Sequence, residues 1–405
     1  MVEGSRFYAD RMKNVKASDI REILKLTEGR DVISLAGGLP DPRVFPREEL
    51  VDIMRAIVEE SLESALQYSP TKGATPFRET LRGFLSDNGV RVRSSDDIIV
   101  TTGSQQSLFL AAQVLVGPGD VVVVEEPGYL AAINVFNYAQ ARMVGARVDE
   151  HGMDPEVVEE KVKRLKGEGR KVKLVYANPT SQNPTGSTMT LERRKHLLEI
   201  ASRYDLLIIE DDPYSFFTFE EDKPPYLKTL DTEGRVIYTS TFSKILMPGV
   251  RLGWTLADET IVLGMESLKQ MVDLHSATLS QYIAMESIKR GIVASTIDRA
   301  RAIYREKRDA LIETLEEELA GLATWTRPIG GFFTMVELHP SINARKLLVE
   351  AIERKGVAFV PGDSFYVEEK KMNTMRLSYS FPPAEVIRVG ARRLAELVKE
   401  KTPPG

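Results

Sequence analysis

Short apolar segments alternate with helical patterns through the middle of this chain, and this alternation constrains the fold more than any other feature. The segments are typical of β-strands and lie at residues 98–101, 121–124, 172–176, 206–209, 236–238 and 250–256. They are almost continuously apolar, as expected of parallel strands that are buried on both faces. Helical patterns begin near residues 103, 129 and 191. The sequence therefore predicts an α/β fold, with helices covering both faces of a mainly parallel sheet.

The pattern changes beyond residue 259, where long helical stretches precede several short strands. Helices are predicted over 259–290, 293–320, 343–355 and 384–400, with strands near 324, 332–336, 357–360 and 375–379. Two earlier helices are predicted at 18–27 and 48–66. We predict three parts, namely an N-terminal segment (1–45) that joins the small domain, a large domain (46–292) and a small α+β domain (293–405).

Composition and charge exclude several classes of function. The 405 residues carry a formal net charge of −5, so the chain lacks the basic surface of a nucleic-acid-binding protein. It has no cysteine and four histidines, which excludes disulfides and thiolate metal sites and disfavours a histidine-rich metal centre. With no apolar run of membrane-spanning length and a polar N-terminus, we expect a cytoplasmic protein. Abundant Glu, Lys and Arg are typical of thermophilic proteins.

Polar residues gather where the predicted strands end. Ligands of open α/β sheets bind at the carboxyl ends of the strands, so these residues are expected to share one crevice. The alternative is a set of ordinary polar turns. The residues are Ser104 and Gln105 after the first strand, Asn183 after 172–176, Asp211 and Tyr214 after 206–209, and Lys244 after 236–238.

The stretch around Lys244 combines an amine with groups that suit a phosphate. Thr241 and Ser243 offer hydroxyl groups, and Arg251 offers a planar guanidinium after the Pro248-Gly249 turn. A lysine beside fixed cations loses its proton more easily, and nucleophilic chemistry needs the neutral amine. The alternative is a lysine and an arginine exposed after a strand.

Two other motifs point to the same kind of ligand. Thr102-Gly103-Ser104-Gln105 opens a helix, where backbone N–H groups favour a phosphate, although an ordinary N-cap is the alternative. Neither G-x-G-x-x-G nor G-x-x-x-x-G-K-[ST] is present here, which disfavours a dinucleotide or an ATPase loop. Glu210-Asp211-Asp212 needs an opposing positive charge if it is buried, such as a protonated heterocyclic nitrogen; solvated loop acids are the alternative.

These motifs, taken in order, resemble the fold-type I aminotransferases that use pyridoxal 5′-phosphate. The similarity is carried by Tyr68, Gly103-Ser-Gln105, Tyr129, Asn183-Pro-Thr-Gly186, Asp211-x-x-Tyr214, Ser243-Lys244, Arg251 and Arg376. Four segments look like the 2-aminoadipate and kynurenine aminotransferase branch: Ile33-Ser-Leu-Ala-Gly-Gly-Leu-Pro40, Gln67-Tyr-Ser-Pro-Thr71, Gly103-Ser-Gln-Gln106 and Met375-Arg-Leu-Ser-Tyr379.

The resemblance implies a role for each cofactor residue. Lys244 would bind the cofactor covalently and then transfer protons, and Asp211 would pair with the pyridinium nitrogen. Asn183 and Tyr214 would hydrogen-bond the phenolic oxygen of the ring, while Tyr129 would stack on its face. The phosphate would be held by Ser104, Gln105, Thr241, Ser243 and Arg251, with Tyr68 reaching it from the neighbouring subunit of a homodimer.

The resemblance also implies how substrates bind. Arg376 would fork the α-carboxylate of the amino acid, with Asn183 and Gly38 beside it. Ser18 and Arg21 occupy positions that read a distal carboxylate in 2-aminoadipate-specific relatives, on a helix that would close over the substrate; a solvated Arg21 is the alternative. We expect broad specificity, 2-oxoglutarate as acceptor and ping-pong kinetics.

Three other functions compete with this interpretation. The same fold supports alanine:glyoxylate exchange, and also β-elimination or decarboxylation, because the cofactor carries the chemistry. It also occurs in regulators with an N-terminal DNA-binding domain. Since 17 residues precede Ser18 and the net charge is negative, we expect no such domain.

Overall fold

A computed structural model describes residues 4–14, 31–220 and 223–403. Fourteen strands lie in this part of the chain: β1 Ile33–Ser34, β2 Asp96–Thr101, β3 Val121–Glu126, β4 Arg142–Asp149, β5 Gly152–Met153, β6 Val172–Ala177, β7 Leu207–Asp211, β8 Val236–Thr241, β9 Gly253–Asp258, β10 Thr324–Trp325, β11 Phe333–Glu337, β12 Val357–Ala358, β13 Val360–Pro361 and β14 Thr374–Ser378.

The α-helices of the described residues connect these strands or pack around them. They span Arg47–Glu60, Leu62–Leu66, Thr75–Asp87, Ser104–Leu115, Leu130–Tyr138, Pro155–Gly167, Leu191–Arg203, Leu227–Leu230, Phe242–Ile245, Glu259–Val272, Thr278–Lys289, Ile292–Leu319, Ala344–Glu350 and Ala384–Lys401. No helix in this part of the chain is long and apolar enough to cross a membrane.

An eight-stranded sheet forms the centre of the large domain, in the order β2-β9-β8-β7-β6-β3-β4-β5. Strands β8, β7, β6, β3 and β4 are parallel neighbours, whereas β9 is antiparallel to both β2 and β8. The prediction of a mainly parallel α/β sheet is therefore confirmed.

Alternate residues of the central strands pack against helices on opposite faces. Val122 and Val124 of β3 share a core with the helices Ser104–Leu115 and Leu130–Tyr138. Val121 and Val123 face the helices Pro155–Gly167 and Leu191–Arg203 instead. Both sets of side chains are buried, which explains why these strands read as continuous apolar runs.

A smaller antiparallel sheet, in the order β10-β11-β14-β13, lies in the C-terminal part of the chain. The helices Ile292–Leu319 and Ala384–Lys401 pack against each other here. Strand β1 pairs in parallel with β12, so residues 33–34 join this region. The exact boundaries at residues 45 and 292 stay a prediction.

Several predicted elements are wrong in their bounds. The helix predicted over 48–66 is divided at Ser61, whose φ of −149° leaves the helical region. The helix predicted over 259–290 is divided after Val272, because Leu274 is left-handed with φ 65°. Strand β9 begins at Gly253 rather than at residue 250, after a short 3-10 helix. Residues 18–27 lie outside the described residues.

Two long helices and one strand were not predicted. The helices Thr75–Asp87 and Pro155–Gly167 mix apolar and charged residues. Strand β4 contains two arginines and a glycine, and its ends are partly exposed near the edge of the sheet. Because of these polar residues, β4 lacks the continuous apolar run by which the central strands are recognised in the sequence.

A buried ion pair joins the loop after β1 to the long helix Ile292–Leu319. Lys307 Nζ lies 2.6 Å from Asp41 Oδ2 and also donates to the carbonyl of Ser380 at 2.7 Å. Burial alone would raise the pKa of Asp41, but hydrogen bonds from Arg43 and Lys307 outweigh it and lower the pKa to about 2. The pair therefore fixes the loop that carries Gly38 and Leu39.

Removing one partner of this pair should strongly destabilise the fold. We expect Lys307→Met to lower the free energy of unfolding by about 1.5–3 kcal/mol, because Asp41 would keep Arg43 but lose its buried donor, and the carbonyl of Ser380 would lose its donor too. Lys399→Met is the control, since Lys399 pairs with Glu318 at the surface and its loss should cost less than about 1 kcal/mol. Chemical denaturation measures both, and equal losses would contradict the prediction.

The same pair should make stability depend on pH in acid. Because the pKa of Asp41 is lower in the folded protein, its contribution is present above about pH 4 and is lost as the pH falls toward 2.

Candidate active site

A cavity of about 410 Å³ lies at the carboxyl ends of β6, β7 and β8. Most of the site residues predicted from the sequence line it: Gly38, Ser104, Gln105, Tyr129, Asn183, Asp211, Tyr214, Thr241, Ser243, Lys244, Arg251 and Arg376. A larger cavity of about 1130 Å³ is lined by parts of both sheets, including Trp325, and contains none of these residues. The smaller cavity is therefore the candidate active site.

Lys244 lies in the short helix Phe242–Ile245 that follows β8 directly. Its Nζ donates to the carbonyl oxygen of Gly38 at 2.9 Å. Burial, together with the positive charges of Arg251 and Arg376, lowers the pKa of Lys244 to about 8. A substantial fraction of this amine is therefore neutral at mildly alkaline pH, as a nucleophile or general base requires.

An anion-binding cradle lies beside this lysine. Gly103 has φ 79° and precedes the helix Ser104–Leu115, whose first two residues line the cavity. A Cβ on Gly103 would lie 2.7 Å from Arg251 Nη2, so the guanidinium passes directly over this glycine. Arg251 Nη1 also donates to Ser243 Oγ at 3.3 Å. Helix N-terminus, hydroxyl and guanidinium together suit a phosphate group.

Asp211 ends β7 as a buried carboxylate that forms no ion pair with a lysine, arginine or histidine of the described residues. It is 2% exposed, and Tyr176 donates its hydroxyl to Oδ2 at 2.8 Å. The other oxygen, Oδ1, has no hydrogen-bond partner among the described residues. Burial raises the pKa of Asp211 to about 7, opposed by the Tyr176 hydrogen bond and assisted by the charge of Asp212. A protonated heterocyclic nitrogen would supply the missing donor and the missing positive charge.

The neighbouring acids are also buried, so solvated loop acids are the wrong interpretation of this motif. Glu210 accepts from the backbone N–H groups of Leu227 and Lys228. Asp212 accepts from the hydroxyl of Tyr238 at 3.0 Å. Each acid thus has its own donors, and Asp211 is the one that lines the cavity.

Arg376 supplies a buried cation on the opposite side of the cavity. It lies on β14, is 1% exposed and donates to Asn183 Oδ1 at 2.9 Å and to the carbonyl of Ala36 at 2.7 Å. Its guanidinium carbon lies 4.1 Å from the ring centroid of Phe333. Burial lowers the pKa of Arg376 to about 10, and its Nε has no partner in the described chain. A carboxylate ligand would compensate this charge.

Two tyrosines complete the walls. Tyr214 packs against Phe332 with ring centroids 5.3 Å apart. Tyr129 precedes the helix Leu130–Tyr138, and burial raises its pKa to about 12, so it stays a neutral phenol. Both side chains can therefore donate a hydrogen bond or cover the face of an aromatic ligand.

Three predicted residues are not placed in this cavity. Tyr68 is 77% exposed and meets His275 edge-on at 5.5 Å, outside the cavity lining. Ser18 and Arg21 lie outside the described residues. No group of three or more His, Asp or Glu side chains in the described chain could hold a metal ion.

The cavity also contains residues to which the sequence analysis gave no role. Asn178 accepts from the backbone N–H of Asn183 at 2.8 Å, and Phe333 packs against Gly38 so closely that a Cβ there would lie 2.7 Å from its ring. The Asn-Pro turn signal at residues 178–179 and the paired glycines at 37–38 were visible in the sequence, but neither indicates a partner.

The arrangement fits pyridoxal 5′-phosphate on three independent features. The cradle at Arg251 suits its phosphate, the unpaired oxygen of Asp211 suits its ring nitrogen, and Lys244 suits its aldehyde. Asn183 and Tyr214 line the same cavity.

Comparisons with known proteins give the same family. The model of aminotransferase class I and II matches residues 30–394. The chain is 44% identical to aromatic-amino-acid aminotransferase 1 of Thermococcus litoralis, over 98% of this chain and 95% of the relative. It is 38% identical to 2-aminoadipate transaminase of Thermus thermophilus, over 95% and 94%.

A solved structure agrees with these relatives. The kynurenine aminotransferase of Pyrococcus horikoshii, solved in complex with PMP, superposes with a TM-score of 0.95 and 45% identity, over 99% of each chain. The chain belongs to the class I and II aminotransferases, transferases of fold type I that depend on pyridoxal 5′-phosphate.

Proposed function

We propose that this enzyme transfers the amino group of an L-amino acid to 2-oxoglutarate by a ping-pong scheme. This proposal rests mainly on Arg376. Its buried guanidinium lines the same cavity as Lys244 and Asp211, and it has no carboxylate partner in the described chain. The printed names of the similar proteins support aromatic amino acids, 2-aminoadipate and kynurenine as donors.

The roles of the side chains follow from their positions. When bound, pyridoxal 5′-phosphate supplies an electron sink for the bonds at the substrate Cα. Asp211 Oδ1 would accept from the protonated ring nitrogen, and Ser104, Gln105, Thr241, Ser243 and Arg251 would hold the phosphate. Asn183 and Tyr214 would hydrogen-bond the phenolic oxygen of the ring, and Tyr129 would cover its face.

Arg376 and Lys244 act on the substrate itself. Arg376 binds the α-carboxylate with two parallel hydrogen bonds, which fixes the orientation of the Cα–H bond. Lys244 Nζ would take the proton from the substrate Cα and deliver it to the carbon that derives from the cofactor aldehyde, which is the net proton shift of a transamination. Its lowered pKa keeps a neutral fraction available for this step.

Broad specificity is supported by an apolar mouth. Leu39 lines the cavity and is 53% exposed, so it can contact a large side chain without excluding others. The recognition of a distal carboxylate by Ser18 and Arg21 stays a prediction from the sequence.

We also propose a homodimer in which Tyr68 completes the site of the neighbouring subunit. Tyr68 is 77% exposed, and other exposed apolar side chains lie on or just after the helices Leu62–Leu66 and Glu259–Val272: Leu62, Leu66, Met271 and Leu274. Such a surface suits a second copy of the chain. A monomeric mass in sedimentation equilibrium would contradict this proposal. The cytoplasmic location likewise stays a prediction.

An amino-donor panel tests the reaction. With 2-oxoglutarate as acceptor, we expect turnover of phenylalanine, tyrosine, kynurenine and 2-aminoadipate, measured by formation of glutamate. Alanine with glyoxylate forms the comparison arm for the alternative exchange. Lys244→Ala should lower turnover by at least about 10²–10⁴-fold, because the base is lost, whereas Lys399→Ala should not. Formation of elimination products or carbon dioxide in place of glutamate would contradict the proposed amino-group transfer.

The role of Arg376 can be separated from general damage to the site. Arg376→Met should lower kcat/KM for phenylalanine by about 10²–10³-fold, because a hydrogen-bonded charge pair with substrate is worth about 2–5 kcal/mol. The decrease for 2-phenylethylamine, which lacks the carboxylate, should be much smaller. Arg388→Met, a change at an exposed surface pair with Glu313, is the control. Equal losses for the two substrates would argue against carboxylate binding.

The pKa of Lys244 can be measured in enzyme stripped of cofactor. Labelling by fluorodinitrobenzene requires the neutral amine, so the labelling rate of Lys244 should rise with a midpoint near pH 8. An unperturbed lysine has a pKa of about 10.4. Arg376→Met should move the midpoint upward, because it removes a positive charge that disfavours the protonated amine. A midpoint above pH 10 in the unaltered protein would contradict the assignment.

A further inference from the structure

Glu125 is a fully buried acid that the proposed mechanism does not use. It is the next-to-last residue of β3 and is 1% exposed. It forms no ion pair with a lysine, arginine or histidine of the described chain. Its side chain instead points toward the segment 178–185, which connects β6 to the rest of the active-site wall.

Both carboxyl oxygens of Glu125 accept hydrogen bonds from that segment. Oε1 accepts from the backbone N–H of Asn178 at 3.0 Å, and Oε2 accepts from Gln182 Nε2 at 2.9 Å. The amide orientation of Gln182 is fixed, because its Oε1 accepts from the N–H and the hydroxyl of Thr185 at 2.9 and 2.7 Å. Exchanging its oxygen and nitrogen would break both hydrogen bonds. Gln182 Nε2 also donates to the carbonyl of Pro127 at 2.8 Å.

The two residues that Glu125 contacts lie on either side of Asn183 in space. Asn178 Oδ1 accepts from the backbone N–H of Asn183 at 2.8 Å, and Gln182 precedes Asn183 in the chain. The side chain of Asn183 then accepts from Arg376 Nη1 at 2.9 Å. A continuous series of hydrogen bonds therefore runs from Glu125 to the guanidinium in the cavity.

We propose that Glu125 is a positioning residue, which fixes Asn178 and Gln182 so that Asn183 holds Arg376 in the orientation that binds the substrate carboxylate. This inference rests on the proposed carboxylate-binding role of Arg376. Since both partners of Glu125 are N–H donors, two acceptor oxygens are required, and a glutamine at this position must turn an NH₂ group toward one donor.

The chain offers a matched control next to this residue. Glu126 accepts from the backbone N–H groups of Val367 and Glu368 through Oε1, on the side of the C-terminal region. Glu126→Gln keeps one acceptor oxygen for these donors. It removes a carboxylate one residue away from Glu125 and leaves the segment 178–185 untouched.

The test measures binding of a carboxylate to the holoenzyme. The probe is 3-phenylpropionate, which lacks an amino group, and its Kd is read from the change in the visible band of the bound cofactor. Glu125→Gln should raise this Kd, and the KM for phenylalanine, by about tenfold, with a smaller effect on kcat. Glu126→Gln should change both by less than about twofold.

A swap variant distinguishes positioning from general damage. In Glu125→Gln combined with Gln182→Glu, the amide and the carboxylate exchange places and can restore the hydrogen bond between positions 125 and 182. Because the carboxylate introduced by Gln182→Glu could no longer donate to the carbonyl of Pro127, we expect only partial recovery, with a Kd for 3-phenylpropionate below that of Glu125→Gln. Gln182→Met, which removes a donor to Glu125, should weaken carboxylate binding as Glu125→Gln does, and it provides the test if Glu125→Gln does not fold.

The outcomes separate this inference from the proposed function. If the unaltered enzyme transaminates and binds 3-phenylpropionate, but Glu125→Gln and Gln182→Met bind it equally well, the positioning role is refuted. If the unaltered enzyme neither transaminates nor binds the carboxylate through Arg376, the proposed function fails first.

Discussion

The active site depends on two opposite charges that the protein buries without pairing them with each other. Asp211 ends β7 with an unpaired oxygen, and Arg376 enters from β14 with neutral acceptors as its protein partners. Burying an ion is costly unless a counter-charge is supplied, and here the charges are left for ligands. The cofactor nitrogen and the substrate carboxylate would each complete one of them. Binding of the cofactor and the substrate would therefore offset the free energy that the fold loses by burying these two charges unpaired.

The topology of the large sheet explains how Asp211, Lys244 and Arg251 come to line one cavity. Parallel strands β6, β7 and β8 end at the same edge, so the residues after them meet regardless of their separation in sequence. Strand β9 is antiparallel to β8. Arg251, two residues before β9, has a left-handed backbone conformation, and its guanidinium lies over Gly103. The turn that leads into β9 thus places Arg251 close enough to Lys244 to lower its pKa.

The sequence predicted the parts of the site that follow apolar strands, and it missed those that depend on tertiary contacts. Asp211 and Lys244 could be identified because each lies at the end of a buried strand or just beyond it. Arg376 came from family resemblance alone, since it lies within a strand of the other sheet and 193 residues from Asn183. Glu125 ends an unremarkable apolar run, and nothing local indicates that its carboxyl faces Asn178. Such partners are set by how strands stack, which periodicity does not encode.

The hydrogen bond from Arg376 to Asn183 joins the two sheets at the proposed site for the substrate carboxylate. Arg376 belongs to the small antiparallel sheet, whereas Asn183 follows β6 of the large one. Any displacement between the sheets would therefore alter the guanidinium and its acceptor together. The large-domain side of this contact is fixed through Asn178 and Glu125, both buried, and the geometry for the substrate carboxylate is consequently set from within the central sheet.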